Sequence, residues 1–194
     1  PLMFDYSGFP SETYQYKYNA PGSPALAAQI CQLLSAKGIP CAQDAKRGWD
    51  HGVFVPLKLM YPEANIPVVA MSLVDTLDPL THIQIGQALA PLREQGVLII
   101  GSGMSFHNFE YFFTQSAQKK AQGVKHSKVF DKHLIDTFTS TPAREAQVSS
   151  LVNWFTAPSG LEAHKLGQEE HLIPLHVAFG AALGEDREDS AEVV

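Results

Sequence analysis

Two apolar runs dominate the hydrophobic pattern: IPVVAMSL over residues 66–73 and VLII over residues 97–100. Continuous branched runs suit strands covered on both faces, as in a parallel sheet. Between them, residues 81–95 place Ile85, Leu89 and Leu92 on one helical face, and Gly96 ends the element. The order strand, helix, strand predicts a βαβ unit with a right-handed crossover. A helix is also predicted after Ser23, which can cap it, with Pro24 in its first turn. Leu26, Ile30, Leu33 and Leu34 share its inner face, and Gly38 and Pro40 stop it. Residues 39–42 are expected to enter the sheet.

Further along, residues 53–60 suit a short helix, with Pro56 tolerated only in the first turn. Residues 116–128 read as a polar loop, and residues 128–139 as a helix with Phe130, Leu134 and Phe138 in register. Thr141 and Pro142 start another helix, which runs to about residue 155. Residues 157–168 read as a loop carrying His164. The segment LIPLHVAFGAAL is apolar nearly all round and predicts a buried helix. Residues 1–20 are an irregular, aromatic-rich segment. The resulting fold class is α/β: one domain over residues 1–183, with a largely parallel or mixed central sheet covered by helices on both faces. An acidic tail follows at residues 184–194. The chain opens on Pro1 and closes on GEDREDSAEVV, so truncation at both ends is expected.

Composition narrows the functional classes. With 194 residues, 45% of them hydrophobic and 18% charged, the chain reads as an ordinary globular protein. A net charge of −6 without a Lys/Arg cluster argues against a nucleic-acid surface. No apolar run approaches a membrane span, and no signal-peptide pattern is present. Cys31 and Cys41 read as reduced thiols of a cytoplasmic protein.

Candidate chemistry centres on histidine. Residues 96–108, GVLIIGSGMSFHN, place His107 just past a predicted strand end, where open α/β sheets bind ligands. Gly101 and Gly103 let backbone or ligand come close, but the spacing is not that of a dinucleotide fingerprint. His51 follows Asp50, and an acid beside a histidine can hold its tautomer. Of the eight histidines, His82, His126 and His133 are assigned to the surface and His176 to the core. His51, His107 and His171 lie at junctions between polar and apolar segments. Histidine with carboxylate suits Fe(II), Zn(II) or Mn(II), and two histidines with one carboxylate is the Fe(II) oxygenase arrangement. A metal-dependent hydrolase and a non-catalytic metal-binding relative stay open as alternatives.

The strings RGWDHGVFVPLKLMYPEANIPVVAMSL, GVLIIGSGMSFHN and EEHLIPLHVAFGAA, in this order, resemble the LigB-like class III extradiol dioxygenases of the 4,5-DOPA type. FDYSGFP and YNAPGSPALA near the start add to the resemblance. It implies a non-haem metal, Fe(II) or Zn(II), and ring opening of a DOPA-like catechol with O2. It implies metal-ligand roles for His107 and His171, with Glu170 a rival to His171. It also implies proton-transfer roles for His51 and, as in some relatives, His107. Two further ligand histidines, in His-Gly-Ser/Gly-Pro and Ser-Ala-His motifs, are expected upstream and do not occur in this sequence. The metal site of the chain as it stands is therefore expected to be incomplete.

Overall fold

The structure, a computed structural model, describes residues 1–184, so the predicted acidic tail lies outside the described residues except for Gly184. The chain forms two compact units, Pro1–Ser72 and a second from Leu73 onward.

In the first unit, α1 spans Pro24–Ala36, and Ser23 caps it by accepting from the Leu26 N–H at 3.3 Å. Ile30 and Leu34 are its buried residues. The next helix, α2, spans His51–Met60 and is capped by Asp50, whose Oδ1 accepts from the Val53 N–H. It therefore starts two residues earlier than the hydrophobic pattern suggests, and Pro56 falls inside it rather than in its first turn. The unit's core gathers Tyr18, Ala20 and Phe54, with Phe4, Tyr6 and Trp49 against them. Cys31 and Cys41 form a disulfide, with Cα atoms 5.2 Å apart. This corrects the expectation of reduced thiols: Gly38, at φ +72°, turns the chain back so that Cys41 returns to α1.

In the second unit, α3 spans Pro79–Leu89 and continues as a 3-10 turn over Ala90–Gln95, which Gly96 ends in the left-handed region. A short helix α4, Phe109–Phe112, precedes the long α5, Ala117–Thr139. The polar stretch expected to be a loop is thus the first half of α5. Its side chains are mostly exposed, and Ser116 caps it by accepting from the Lys119 N–H, so a weak apolar signal hid a helix held by its cap and propensities. Then come α6 (Arg144–Val152), α7 (Gly160–Ala163) and α8 (Ile173–Leu183). The core joins Ile83, Phe130, Leu134, Trp154, Leu172 and Phe179.

The central sheet is not found. Among the described residues the only β-pairings are two isolated parallel bridges, Leu2 with Trp49 and Gly22 with Val68. The chain is a helical fold joined by extended segments, not a sheet covered on both faces. Neither apolar run is helical, and neither forms a ladder. Val68 donates its N–H to the Pro21 carbonyl (2.8 Å), and Val97 donates back to Leu92 (3.2 Å). Ile66, Leu98 and Ile100 are 45%, 67% and 44% exposed, the reverse of burial on two faces. A ladder requires a partner strand at the right distance and register, and apolar periodicity carries no information about one.

Helix α8 takes the place of a sheet as the scaffold of the second unit. It crosses α3 at backbone contact: a Cβ on Gly86 would lie 2.1 Å from the Val177 carbonyl oxygen, and one on Gly180 would lie 2.0 Å from that of Ile83. We therefore expect Gly86→Ala and Gly180→Ala each to destabilise the fold by about 1–3 kcal/mol or more, as overpacking does, read as a lowered denaturant midpoint. Reducing the disulfide, whose cysteines are 10 residues apart, is expected to cost about 2–3 kcal/mol through the entropy of the unfolded chain. Denaturant curves with and without a phosphine reductant, against Cys31→Ser/Cys41→Ser, check this.

Candidate functional site

The extended stretch after residue 100 runs along the start of α8. A Cβ on Gly101 would sit 2.4 Å from the Pro174 carbonyl oxygen, and one on Gly103 would sit 2.1 Å from that of His171. The two glycines thus admit backbone, not a phosphate. Met104 donates its N–H to the His171 carbonyl at 2.8 Å, and His107 donates its N–H to the Ala163 carbonyl at 3.1 Å. These bonds bring His107 and His171 face to face, with ring centroids 3.5 Å apart at 25°.

Glu170 completes a cluster. One ligand atom from each of His107, Glu170 and His171 lies within 4.8 Å of the others, with both histidines half-buried and the glutamate exposed. A single ion with ligand bonds of about 2.1 Å spans such a group after small side-chain rotations. The donor set, two imidazoles and a carboxylate, fits a divalent transition metal. Glu170 and His171, expected as rivals, therefore come together. Phe109 meets the His107 ring at 4.6 Å and Phe112 at 6.0 Å, both edge-on. Phe109 and Phe113 are 57% and 70% exposed, an open aromatic wall beside the cluster.

Two buried side chains that the sequence reading did not single out hold this region. Asn108 accepts from the Glu110 N–H to cap α4 and donates Nδ2 to the Glu162 carbonyl at 2.9 Å. His164, assigned to a loop, is fully buried. Its Nε2 lies 2.9 Å from the Ser105 carbonyl, so Nε2 carries the hydrogen and the buried Nδ1, which has no partner, stays bare. Burial lowers the His164 pKa to about 4. The Ser105 carbonyl and Glu170 oppose this, and His107 and His171 reinforce it.

The other histidines divide differently from the sequence assignment. His82 is buried, not at the surface: it accepts from the Val74 N–H at 3.0 Å and donates Nδ1–H to the Asp78 carbonyl at 2.7 Å. Its polar flanks bind the ring rather than water. His126 and His133 are half-buried and engage Ser159 and Ser150. His176 is a core histidine, as expected, with Nε2 3.0 Å from the Leu151 carbonyl. The His133–Ser150 pair is not a nucleophile with its base. Thr137 donates to the His133 carbonyl, so it accepts the Ser150 proton, and that proton points away from the imidazole.

His51 lies in the first unit, at the first position of α2. Asp50 does not hold it, being committed to capping α2 and to Arg47 at 2.9 Å. Asp5 takes that part, its Oδ1 lying 2.8 Å from Nδ1 and 3.1 Å from the His51 backbone nitrogen. Partial burial raises the Asp5 pKa, but the bonds from His51 outweigh it and hold the carboxyl below its usual value. The signal for Asp5 was present in FDYSGFP, a string noted above without a role.

The profile of the family described as catalytic LigB subunit of aromatic ring-opening dioxygenase matches residues 4–194. The chain belongs to the LigB family. It is 44% identical over 184 residues to a 4,5-DOPA dioxygenase extradiol of Beta vulgaris, covering 93% of this chain and 64% of that protein. It is 37% identical over 194 residues to dioxygenase tasH of Hapsidospora irregularis, covering 96% and 58%. The crystal structure of uncharacterized protein JW3007 from Escherichia coli K12 superposes with a TM-score of 0.67 at 29% identity, covering 90% of this chain and 68% of that one. The LigB chain thus spans less than two thirds of the length of these two curated relatives.

One pH effect follows for this LigB chain. The folded His164 resists a proton that the unfolded chain accepts near pH 6.5. Stability from this group is complete above that pH and is lost as pH falls to about 4. The loss amounts to about 3 kcal/mol at roughly 1.4 kcal/mol per unit. His164→Gln, which retains a donor for Ser105 but does not titrate, is expected to flatten the denaturant midpoint against pH over that range.

Proposed function

We propose that this chain carries part of the active site of an extradiol ring-cleavage dioxygenase that opens a DOPA-like catechol with O2. The observation that carries the reading is the meeting of His107, Glu170 and His171 in a LigB-family chain. These three would hold a non-haem metal, Fe(II) or Zn(II), with His107 and His171 as its imidazole donors and Glu170 as its carboxylate. When bound, the metal supplies the Lewis acidity and electronic path that let a catechol react with O2.

The chain's own residues supply the rest. His51 is the group suited to take a phenolic proton at Nε2 and return it to the product, the role the family resemblance implies for it, and His107 is suited to proton transfer only where it is not a metal ligand. Phe109, Phe112 and Phe113 offer ring faces and edges to an aromatic substrate. No helix among the described residues is long and apolar enough to cross a membrane. For the compartment we retain the cytoplasmic reading, against which the Cys31–Cys41 disulfide counts.

The test uses the full-length protein, loaded with Fe(II) without oxygen and then given O2 and DOPA or a simple catechol. O2 uptake with growth of a coloured, conjugated product supports the reading. Hydrolysis of an ester without O2 uptake would favour a metal hydrolase, and absence of bound metal would favour a non-catalytic relative. His171→Ala and Glu170→Gln are expected to lower metal content by elemental analysis. His51→Ala should leave the metal bound and reduce turnover by about 10²–10⁴-fold, the usual contribution of a general base.

A further inference from the structure

We propose that Asp5 is a positioning residue that sets the tautomer of His51, so that the ring presents a bare Nε2 as its proton-accepting atom. The proposal builds on the reading of His51 as the group that takes a substrate proton. It concerns the Pro1–Ser72 unit alone.

One oxygen does two things. Asp5 Oδ1 accepts from the His51 backbone N–H at 3.1 Å and lies 2.8 Å from Nδ1 of the same residue. An ionised carboxylate only accepts hydrogen bonds, so Nδ1 must carry the hydrogen. The lone pair of the neutral ring is then on Nε2. Because backbone and ring are tied to the same atom, the side chain is held at both ends. Tyr6 stands edge-on to the ring at 5.9 Å and 87°, limiting rotation on one side. Nε2 has no hydrogen-bond partner among the described residues, and the side chain is 43% exposed, so a substrate hydroxyl can reach it.

The surrounding groups leave Asp5 as the acid that acts on the ring. Asp50 caps α2 and pairs with Arg47. The Tyr6 hydroxyl donates to the Thr13 carbonyl, and the Tyr14 hydroxyl donates to the Tyr6 carbonyl. In the step itself, the substrate O–H bond breaks and an N–H bond forms at Nε2. The electron pair stays on the substrate oxygen, and the ring becomes an imidazolium beside the Asp5 carboxylate. Nothing is oxidised or reduced in this step. Asp5→Asn keeps the shape and removes the negative charge that faces the imidazolium formed in this step.

The experiment uses full-length protein with 15N-labelled histidine. Long-range proton–nitrogen correlations report which nitrogen of neutral His51 is protonated, independently of metal and activity. Wild type is expected to show Nδ1–H, and Asp5→Ala a shift toward Nε2–H. A backbone spectrum matching wild type shows that each variant is folded. In turnover, Asp5→Asn is expected to lower kcat/KM by about 10–100-fold, a part of the general-base contribution. Metal content should not change. Nε2–H in wild type, an unaltered tautomer in Asp5→Ala, or a wild-type kcat/KM in Asp5→Asn would each overturn the proposal. If wild type fails to consume O2 with a catechol, or His51→Ala matches wild type, the functional reading falls instead, and the nitrogen spectrum alone decides whether Asp5 sets the tautomer.

Discussion

Backbone-to-backbone contact around α8 is the constraint on which the second unit depends. On one side Gly86 and Gly180 let α8 meet α3 with no side chain between them, and on the other Gly101 and Gly103 let an extended segment lie against its first turn. Pinning a helix from two sides removes its freedom to slide, so the residues just before it are placed with it. Glu170 and His171 are those residues, and the second contact also delivers His107. The same glycines that shape the core thus assemble the cluster. This is why a helix apolar nearly all round, with no evident seam in its sequence, can still be fixed in register.

The parts legible in the sequence are those determined over a few residues. The caps at Ser23 and the left-handed stop at Gly96, the amphipathic face of α3 and the all-round apolar character of α8 were all readable, because each depends on local chemistry. The sheet was not. Residues 66–73 and 97–100 have the composition of buried strands, but pairing is a property of two segments at once, and the partner is not written in either. The amphipathic pattern also failed for the first half of α5, where charged and small side chains form a helix that buries only Gly123, against Tyr111.

The site divides along the same line. His107, His171 and Glu170 were singled out because they sit at junctions between polar and apolar segments, and ends of elements are where side chains converge. Asp5 and His164 were missed for opposite reasons. Asp5 is 46 residues from His51, so the nearer Asp50 seemed the natural partner until capping took it. His164 lies in a polar stretch that reads as surface, yet it is buried between the Phe130 and Trp154 rings. Polar sequence there reflects α7 and its turns, not exposure of that ring.

Pro56 has a mechanical consequence for α2. Proline has no amide hydrogen, so the ladder lacks a rung within the helix that His51 begins. A helix resists bending through its rungs, and where one is missing the two parts behave as short levers on a soft joint. The far lever ends where the Leu57 carbonyl takes the Tyr61 N–H. The near lever carries His51, and stiffness transmitted along α2 is weakest between them. The ring's firmness therefore comes from sideways, through the strut at Asp5 rather than along the helix axis.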